Sequence, residues 1–185
     1  MSAAMVSEYL TFEEFLALDR QSDLKHEYFH GQMYAMSGGT VNHGLIGLAL
    51  AAAVLPSARK AGCRVHAGAV KVLIGRDYVY YPDVMVACGP RTGSDYETAP
   101  CLLAEVLSPS TRRIDLREKR GHYSTIDQLE VYLILEAELP SVEVYRRDRP
   151  SGRWTSEKYG PGESFQLTCP AVTISVDDLY EPLDL

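Results

Sequence analysis

Two acidic residues stand where the surrounding pattern leaves no room for charge. Asp83 lies inside Tyr78-Val79-Tyr80-Tyr81-Pro82-Asp83-Val84-Met85-Val86-Ala87, a run apolar on both faces and so expected at the centre of a sheet. Glu105 lies inside Leu102-Leu103-Ala104-Glu105-Val106-Leu107, again apolar on both sides. A buried carboxylate with no partner costs several kcal/mol, so each needs a cation, a metal or a set of donors. If the two strands are neighbours the carboxylates meet, and like charges repel unless a cation lies between them. A hard divalent ion with oxygen ligands fits that need. For either residue alone, an arginine partner or a loop cap is the competing account.

The cations that could serve such a site follow Glu105. Arg112, Arg113, Arg117, Lys119 and Arg120 face only Asp115 and Glu118. On a helix, Asp115, Lys119 and Tyr123 fall at i, i+4 and i+8. Asp115 and Lys119 could form a solvated surface pair. Alternatively, a helix folding back from the end of the Glu105 strand carries Lys119 toward both carboxylates. Arg146, Arg147, Arg149 and Arg153 form a second basic cluster, which could track a phosphate backbone or simply be a solvated loop. Together with Lys158 the two clusters hold more than half of the 18 basic residues in a chain of net charge -7. Any grip on nucleic acid would therefore be confined to one cleft. His43, at the start of an apolar helix, is open between a site role and a structural one. His26 and His30 have metal-like spacing but fall in a hairpin rather than on a helix, so they make no zinc pair. His66 and His122 suggest no role, and Trp154 reads as packing.

These residues must be positioned by recognisable elements. Thr11-Phe12-Glu13-Glu14 is a capping box opening a helix to about Asp19. Glu27 to Tyr34 reads as a hairpin turned at His30-Gly31, where glycine supplies positive φ. Gly38-Gly39-Thr40 opens a long apolar helix that ends near Arg59-Lys60 and Gly62. Strand runs follow at Arg64 to Ile74, Tyr78 to Ala87 and Leu102 to Leu107, with Pro82 marking a bulge or a strand parting. Ser108-Pro109-Ser110-Thr111 caps a charged helix from about Arg112 to Thr125. Strand character returns at Val131 to Leu135 and Val142 to Tyr145, before a basic loop from Arg146 to Arg153 and an acidic tail. Mixed strands and helices in this order predict an α/β sandwich with a central sheet flanked by helices. The chain is read as one domain over 1–185, with a helix and hairpin at 11–36, a core at 40–147, and C-terminal strands and tail at 148–185.

Length and composition exclude several classes. The 185 residues are 46% hydrophobic and 23% charged, which is globular rather than fibrous or disordered. A chain this acidic does not coat nucleic acid non-specifically. The apolar run from Gly44 to Leu55 is too short to span a bilayer and reads as a buried helix, so no membrane partner is expected. Met1 to Glu8 has neither a basic start nor an apolar stretch of signal-peptide length. Cys63, Cys88, Cys101 and Cys169 show no CxxC pair, and a cytoplasmic setting with free thiols is expected. No Walker loop, GxGxxG after a strand or G-x-S-x-G elbow is present, so nucleotide-cofactor and serine-hydrolase readings lack support.

Taken in order, Glu27-Tyr28 with Gly31, His43, Pro82-Asp83-Val84, Glu105-Val106-Leu107-Ser108-Pro109-Ser110-Thr111, Asp115, Lys119, Tyr123, Leu129-Glu130 and Tyr132 to Leu135 form a pattern. It resembles the Uma-type restriction endonuclease family of bacteria, within the PD-(D/E)xK nuclease superfamily, from Thr11 to about Leu179. The resemblance implies a restriction-endonuclease-like fold and Mg²⁺- or Mn²⁺-dependent hydrolysis of phosphodiesters, in DNA foremost. It implies that Asp83, Glu105 and the Val106 carbonyl hold the ion and that Glu27 adds a further acidic group. Lys119 would be the catalytic lysine, because the third position of the superfamily's E-x-K element is Leu107 here; Lys71 is the second candidate. Arg112, Arg113, Arg146 and Arg147 are the candidate nucleic-acid contacts. A homodimer is expected, since two sites related by a twofold axis cut two strands. Two other readings stay open: a non-catalytic nucleic-acid-binding or assembly module on the same fold, and a hydrolase of small phosphate esters.

Overall fold

The computed structural model describes residues 9–36, 38–107 and 118–183. Helix α1 (Phe12–Gln21) starts at the expected capping box: the Thr11 hydroxyl accepts from the Glu14 N–H, and the Glu14 carboxylate accepts from the Thr11 N–H. Strands β1 (His26–Phe29) and β2 (Gln32–Ala35) form the hairpin. His30 has φ of 43° and Gly31 of 89° at its turn; a Cβ on Gly31 would also come within 2.8 Å of the Tyr9 ring. Thr40 caps α2 (Val41–Lys60) by accepting from the His43 N–H, which fixes His43 in the first turn. Ile46, Leu50, Val54 and Ala58 recur on the inner face of α2 and pack on the sheet. The helix is long and apolar enough to cross a membrane by composition alone, but here it is buried on one face only, leaving Val41 and Leu48 exposed.

The runs from Arg64 to Ile74 and from Tyr78 to Ala87 are each broken in two, the second at Pro82 as one of the two expected alternatives, and each half joins a different sheet. The first splits into β3 (Arg64–Ala67) and β4 (Lys71–Ile74), the second into β5 (Tyr78–Tyr80) and β6 (Val84–Ala87). Gly68, with φ of 59°, lies in the first break, and Pro82, which has no N–H for a ladder, lies in the second. Both-faced apolarity here comes from sheets covered on both sides rather than from one long central strand.

The remaining elements are β7 (Tyr96–Glu97), β8 (Pro100–Leu107), α3 (Arg120–Tyr123), β9 (Val131–Glu136), β10 (Val142–Arg147), β11 (Trp154–Tyr159), β12 (Ser164–Thr168), β13 (Ala171–Ser175) and α4 (Val176–Tyr180). A six-stranded sheet runs β11-β10-β9-β8-β6-β3, with β8 and β9 parallel and its other pairs antiparallel. A five-stranded sheet runs β2-β1-β5-β4-β7, and β12 and β13 form a separate ribbon. One face of the six-stranded sheet is covered by α2, the ribbon and α4. The other carries Met85, Leu103, Leu107, Tyr132 and Ile134 against Val72, Ile74 and Tyr80 of the five-stranded sheet and Tyr123 of α3. Helix α1 closes the outer face of the smaller sheet through Phe15, Tyr28, Leu73 and Val79. The described part of the charged helix is its end, α3, entered through a wide helical turn at Glu118 and Lys119. Its expected cap, Ser108 to Thr111, and Arg112, Arg113, Asp115 and Arg117 lie outside the described residues, as do residues 1–8.

The expectation of free thiols is corrected by two disulfides, Cys63–Cys88 and Cys101–Cys169. Register explains the first: β3 and β6 are antiparallel with Arg64 opposite Ala87, so the residues just beyond them, Cys63 and Cys88, face each other.

Candidate active site

Strand register carries the two carboxylates together. In the antiparallel pair of β6 and β8, Met85 faces Leu103 and Val84 faces Ala104. One step further, Asp83 falls opposite Glu105. Side chains alternate along β8, so Glu105 shares the face of Leu103 and Leu107, between the two sheets. Asp83 enters the same space where the chain crosses from the five-stranded to the six-stranded sheet. Its Oδ2 accepts from the Val106 N–H at 2.7 Å and lies 3.1 Å from His43 Nε2. A residue's N–H and C=O point to the same side of a strand, so the Val106 carbonyl faces the gap in which Asp83 sits.

Lys119 is buried between carboxylates from two different sheets. Its Nζ is 2.9 Å from Glu27 Oε1, supplied by β1, and 3.4 Å from Glu105 Oε1, supplied by β8. Only 5% of the Lys119 side chain and 4% of the Glu105 side chain remain exposed, against 19% for Glu27 and for Asp83. The ammonium also lies 5.5 Å from the centre of the Tyr80 ring. Tyr123, on α3, donates its hydroxyl to Glu105 Oε1 at 2.7 Å. Burial, reinforced by the Glu105 charge, holds the Tyr123 hydroxyl well above its usual pKa, and burial with Glu27 beside it does the same for Tyr80. Both phenols therefore stay protonated. Behind Tyr80, His122 stacks on Tyr78 at 3.7 Å and shares a 2.7 Å hydrogen bond with the Tyr80 oxygen, and burial depresses its pKa.

Thus Glu27, Asp83, Glu105, Val106 and Lys119 are brought to one place, and His43 with them. The sequence assigns no role to Tyr123 or Tyr80; the signal for Tyr123 is its place four residues after Lys119, which puts both on one helical face. Lys71 goes elsewhere: its Nζ is 2.8 Å from Asp19 Oδ2 and 2.9 Å from Asp95 Oδ2, a buried cluster completed by the Tyr81 hydroxyl. Arg147 and Arg149 donate to the carbonyls of Ile126, Asp127 and Gln128, and Arg146 to Glu157, Tyr159 and the Gln166 carbonyl. In this second basic cluster Arg146, Arg147 and Arg149 brace their own chain, and the Arg149 side chain stays about half exposed. His66 pairs with Glu97, beside Arg64.

The donor set fits a hard divalent ion. Two carboxylates and a backbone carbonyl are oxygen ligands of the type Mg²⁺ and Mn²⁺ prefer, and the nearby imidazole of His43 is compatible with Mn²⁺. A groove lined by Gly38, Gly39, His43, Gly44, Gly47 and Asp83 leads to the site; along it a side chain added at Gly38, Gly44 or Gly47 would meet nothing within 4 Å.

The architecture is a mixed α/β fold of the kind seen in a putative nuclease of the DUF820 group from Anabaena variabilis. The two superpose with a TM-score of 0.77 at 19% identity, covering 93% of this chain and 98% of that one. Residues 12–177 match the Uma2 family, described as "Putative restriction endonuclease", and the chain belongs to that family. Two relatives come from Synechocystis: "Uncharacterized protein slr1290" is 32% identical over 94% of this chain and 93% of its own length. "Uncharacterized protein sll1609" is 28% identical over 80% and 86% respectively.

Proposed function

We propose that the protein is a Mg²⁺- or Mn²⁺-dependent nuclease that hydrolyses phosphodiester bonds, with DNA as its substrate class. The observation that carries the reading is Lys119, buried between Glu27 and Glu105 while Asp83 is held beside Glu105 by the Val106 N–H. Buried charges of this kind are costly, and chemistry at a phosphate gives them a use. Asp83, Glu105 and the Val106 carbonyl would hold the ion, which supplies an activated water and a Lewis acid at the phosphoryl oxygen. Lys119 offsets charge developing at the phosphate and orients the attacking water. Glu27 positions Lys119, and Tyr123 fixes the rotamer of Glu105. His43 steers Asp83 from the groove side. Cleavage of both strands would use two copies related by a twofold axis.

Plasmid nicking tests this. Supercoiled DNA should be converted to open circles with Mg²⁺ or Mn²⁺ and not with EDTA; Asp83→Ala should abolish the conversion and Lys119→Ala should slow it on the order of 100-fold. DNA binding without metal-dependent nicking would instead favour the non-catalytic module. Nicking that survives Asp83→Ala would place the activity elsewhere.

A further inference from the structure

The four cysteines lie at the other end of the strands that carry Asp83 and Glu105. Cys63 precedes β3, Cys88 follows β6, Cys101 lies near the start of β8, and Cys169 sits in the turn between β12 and β13. Four separate chain segments thus bring their cysteines to one region: three sulfurs are mutually close, and Cys63 joins them through its bond to Cys88. Cys88 Sγ is 3.6 Å from Cys101 Sγ and 3.6 Å from Cys169 Sγ, and these three sulfurs all lie within 4.8 Å of one another. Two disulfides acting as independent staples have no need to abut. Sulfurs around a tetrahedral zinc, at about 2.3 Å from the metal, stand roughly 3.8 Å apart, which is the spacing seen between the two disulfides. Cys63 and Cys101 are buried and the other two half-buried, against the apolar core beneath α2. Such a closed, thiolate-only setting has the character of a structural site and selects a soft ion over Mg²⁺.

We propose that Cys63, Cys88, Cys101 and Cys169, when reduced, form a tetrathiolate site for zinc that ties β3, β6, β8 and the β12–β13 turn together. The disulfide-bonded arrangement is the metal-free, oxidised form of the same cluster. Two equivalents of a dithiol reductant convert it: each protein disulfide takes two electrons and two protons to give two thiols, and each reductant closes to its own cyclic disulfide. Zinc then displaces the four thiol protons. To reach metal spacing each bonded pair of sulfurs parts by roughly 1.7 Å, and Cys63, which lies outside the group of three close sulfurs, turns in toward Cys101 and Cys169. The site is about 17 Å from Asp83, five residues of strand away, so the two metals are separable.

The test uses the full chain, reduced under nitrogen and titrated with zinc and, separately, with cobalt. Expected are one tightly held zinc per reduced chain, the strong visible absorption of thiolate-bound tetrahedral cobalt, and four thiols shielded from a thiol reagent until a chelator is added. Cys88→Ser should weaken zinc binding on the order of 100-fold or more, since losing a ligand costs at least as much as losing a ligand's support. Asp83→Ala should leave it unchanged. The proposal is overturned if the reduced wild type gives no thiolate–cobalt spectrum, if zinc leaves thiol reactivity unaltered, or if the reduced chain unfolds and zinc does not restore it. Zinc binding lost in Asp83→Ala but kept in Cys88→Ser would equally overturn it. Should Cys88→Ser fail to fold, the wild-type cobalt spectrum decides.

Discussion

Lys119→Met keeps most of the side chain's length and removes its charge from between two carboxylates. At an effective dielectric constant of about 20, unit charges at the 2.9 Å and 3.4 Å separations seen here attract by roughly 6 and 5 kcal/mol. Dehydrating the three ions costs several kcal/mol each, so most of that attraction is already spent in bringing them together. What the substitution exposes is the uncompensated remainder, and breaking a buried pair from one side typically costs about 3–5 kcal/mol. Glu27 keeps some contact with solvent and Glu105 keeps the Tyr123 hydroxyl, which puts the expected loss near the lower end, about 3 kcal/mol. For a domain of this length the melting temperature should fall by roughly 6–12 °C. Thermal melts followed by circular dichroism in EDTA measure it. Adding Mn²⁺ should then narrow the gap, because an ion held by Asp83 and Glu105 restores positive charge; at 100 times its Kd a ligand contributes about 2.7 kcal/mol. With metal saturating, nicking should still be slower on the order of 100-fold, the scale of one transition-state electrostatic contact. A variant that melts with the wild type in EDTA would refute the buried bridge. A wild type and a variant whose melts are both indifferent to Mn²⁺ would refute the metal site.

Tyr123→Phe removes the donor to Glu105 and should cost about 1.5–3 kcal/mol, the range for a hydrogen bond to a charged group, read from urea melts; an unchanged midpoint would show that Glu105 does not depend on it. Asp83→Asn keeps an acceptor for the Val106 N–H, so stability in EDTA should change by about 1 kcal/mol or less, while the stabilisation by Mn²⁺ disappears. Retention of the Mn²⁺ shift in that variant would remove Asp83 from the ligand set. Burial lowers the folded-state pKa of His122 below its unfolded value near 6.5, so the neutral ring's contribution is full above that pH and is lost as pH falls through the folded pKa. Melts of wild type and His122→Phe from about pH 7.5 to about pH 5 should therefore converge at the acid end, and parallel curves would count against it.

Local grammar was well written in the sequence. Thr11 and Thr40 cap their helices, and Gly31 turns the hairpin, because each acts on backbone groups within a few residues. What reached across the chain was not legible. The run around Gly68 read as one strand, and at Pro82 the choice between a bulge and a parting stayed open, since apolar residues on both faces have the same pattern whether one sheet or two receives them. Cys63 and Cys88 become partners only through the register of β3 on β6, and Lys71 meets Asp19 and Asp95 only through the docking of α1 and the loop before β7.

The site was legible for a related reason. Asp83 and Glu105 stood out because buried carboxylates in apolar runs need partners that the runs themselves lack, and the structure shows where those partners come from. Glu27 belongs to the five-stranded sheet and Glu105 to the six-stranded one, and Lys119 bridges them across the seam. Asp83 arrives where the chain passes from one sheet to the other, immediately after Pro82. The proline that ends the first strand's ladder is therefore what frees the next residue to turn into the seam. A single unbroken strand would have set Asp83 in the pleat of one sheet, with its backbone N–H committed to a neighbour and its carboxylate facing packed side chains. The break at Pro82 and the charge at Asp83 have one cause: both belong to the place where two sheets part and leave a polar gap between them.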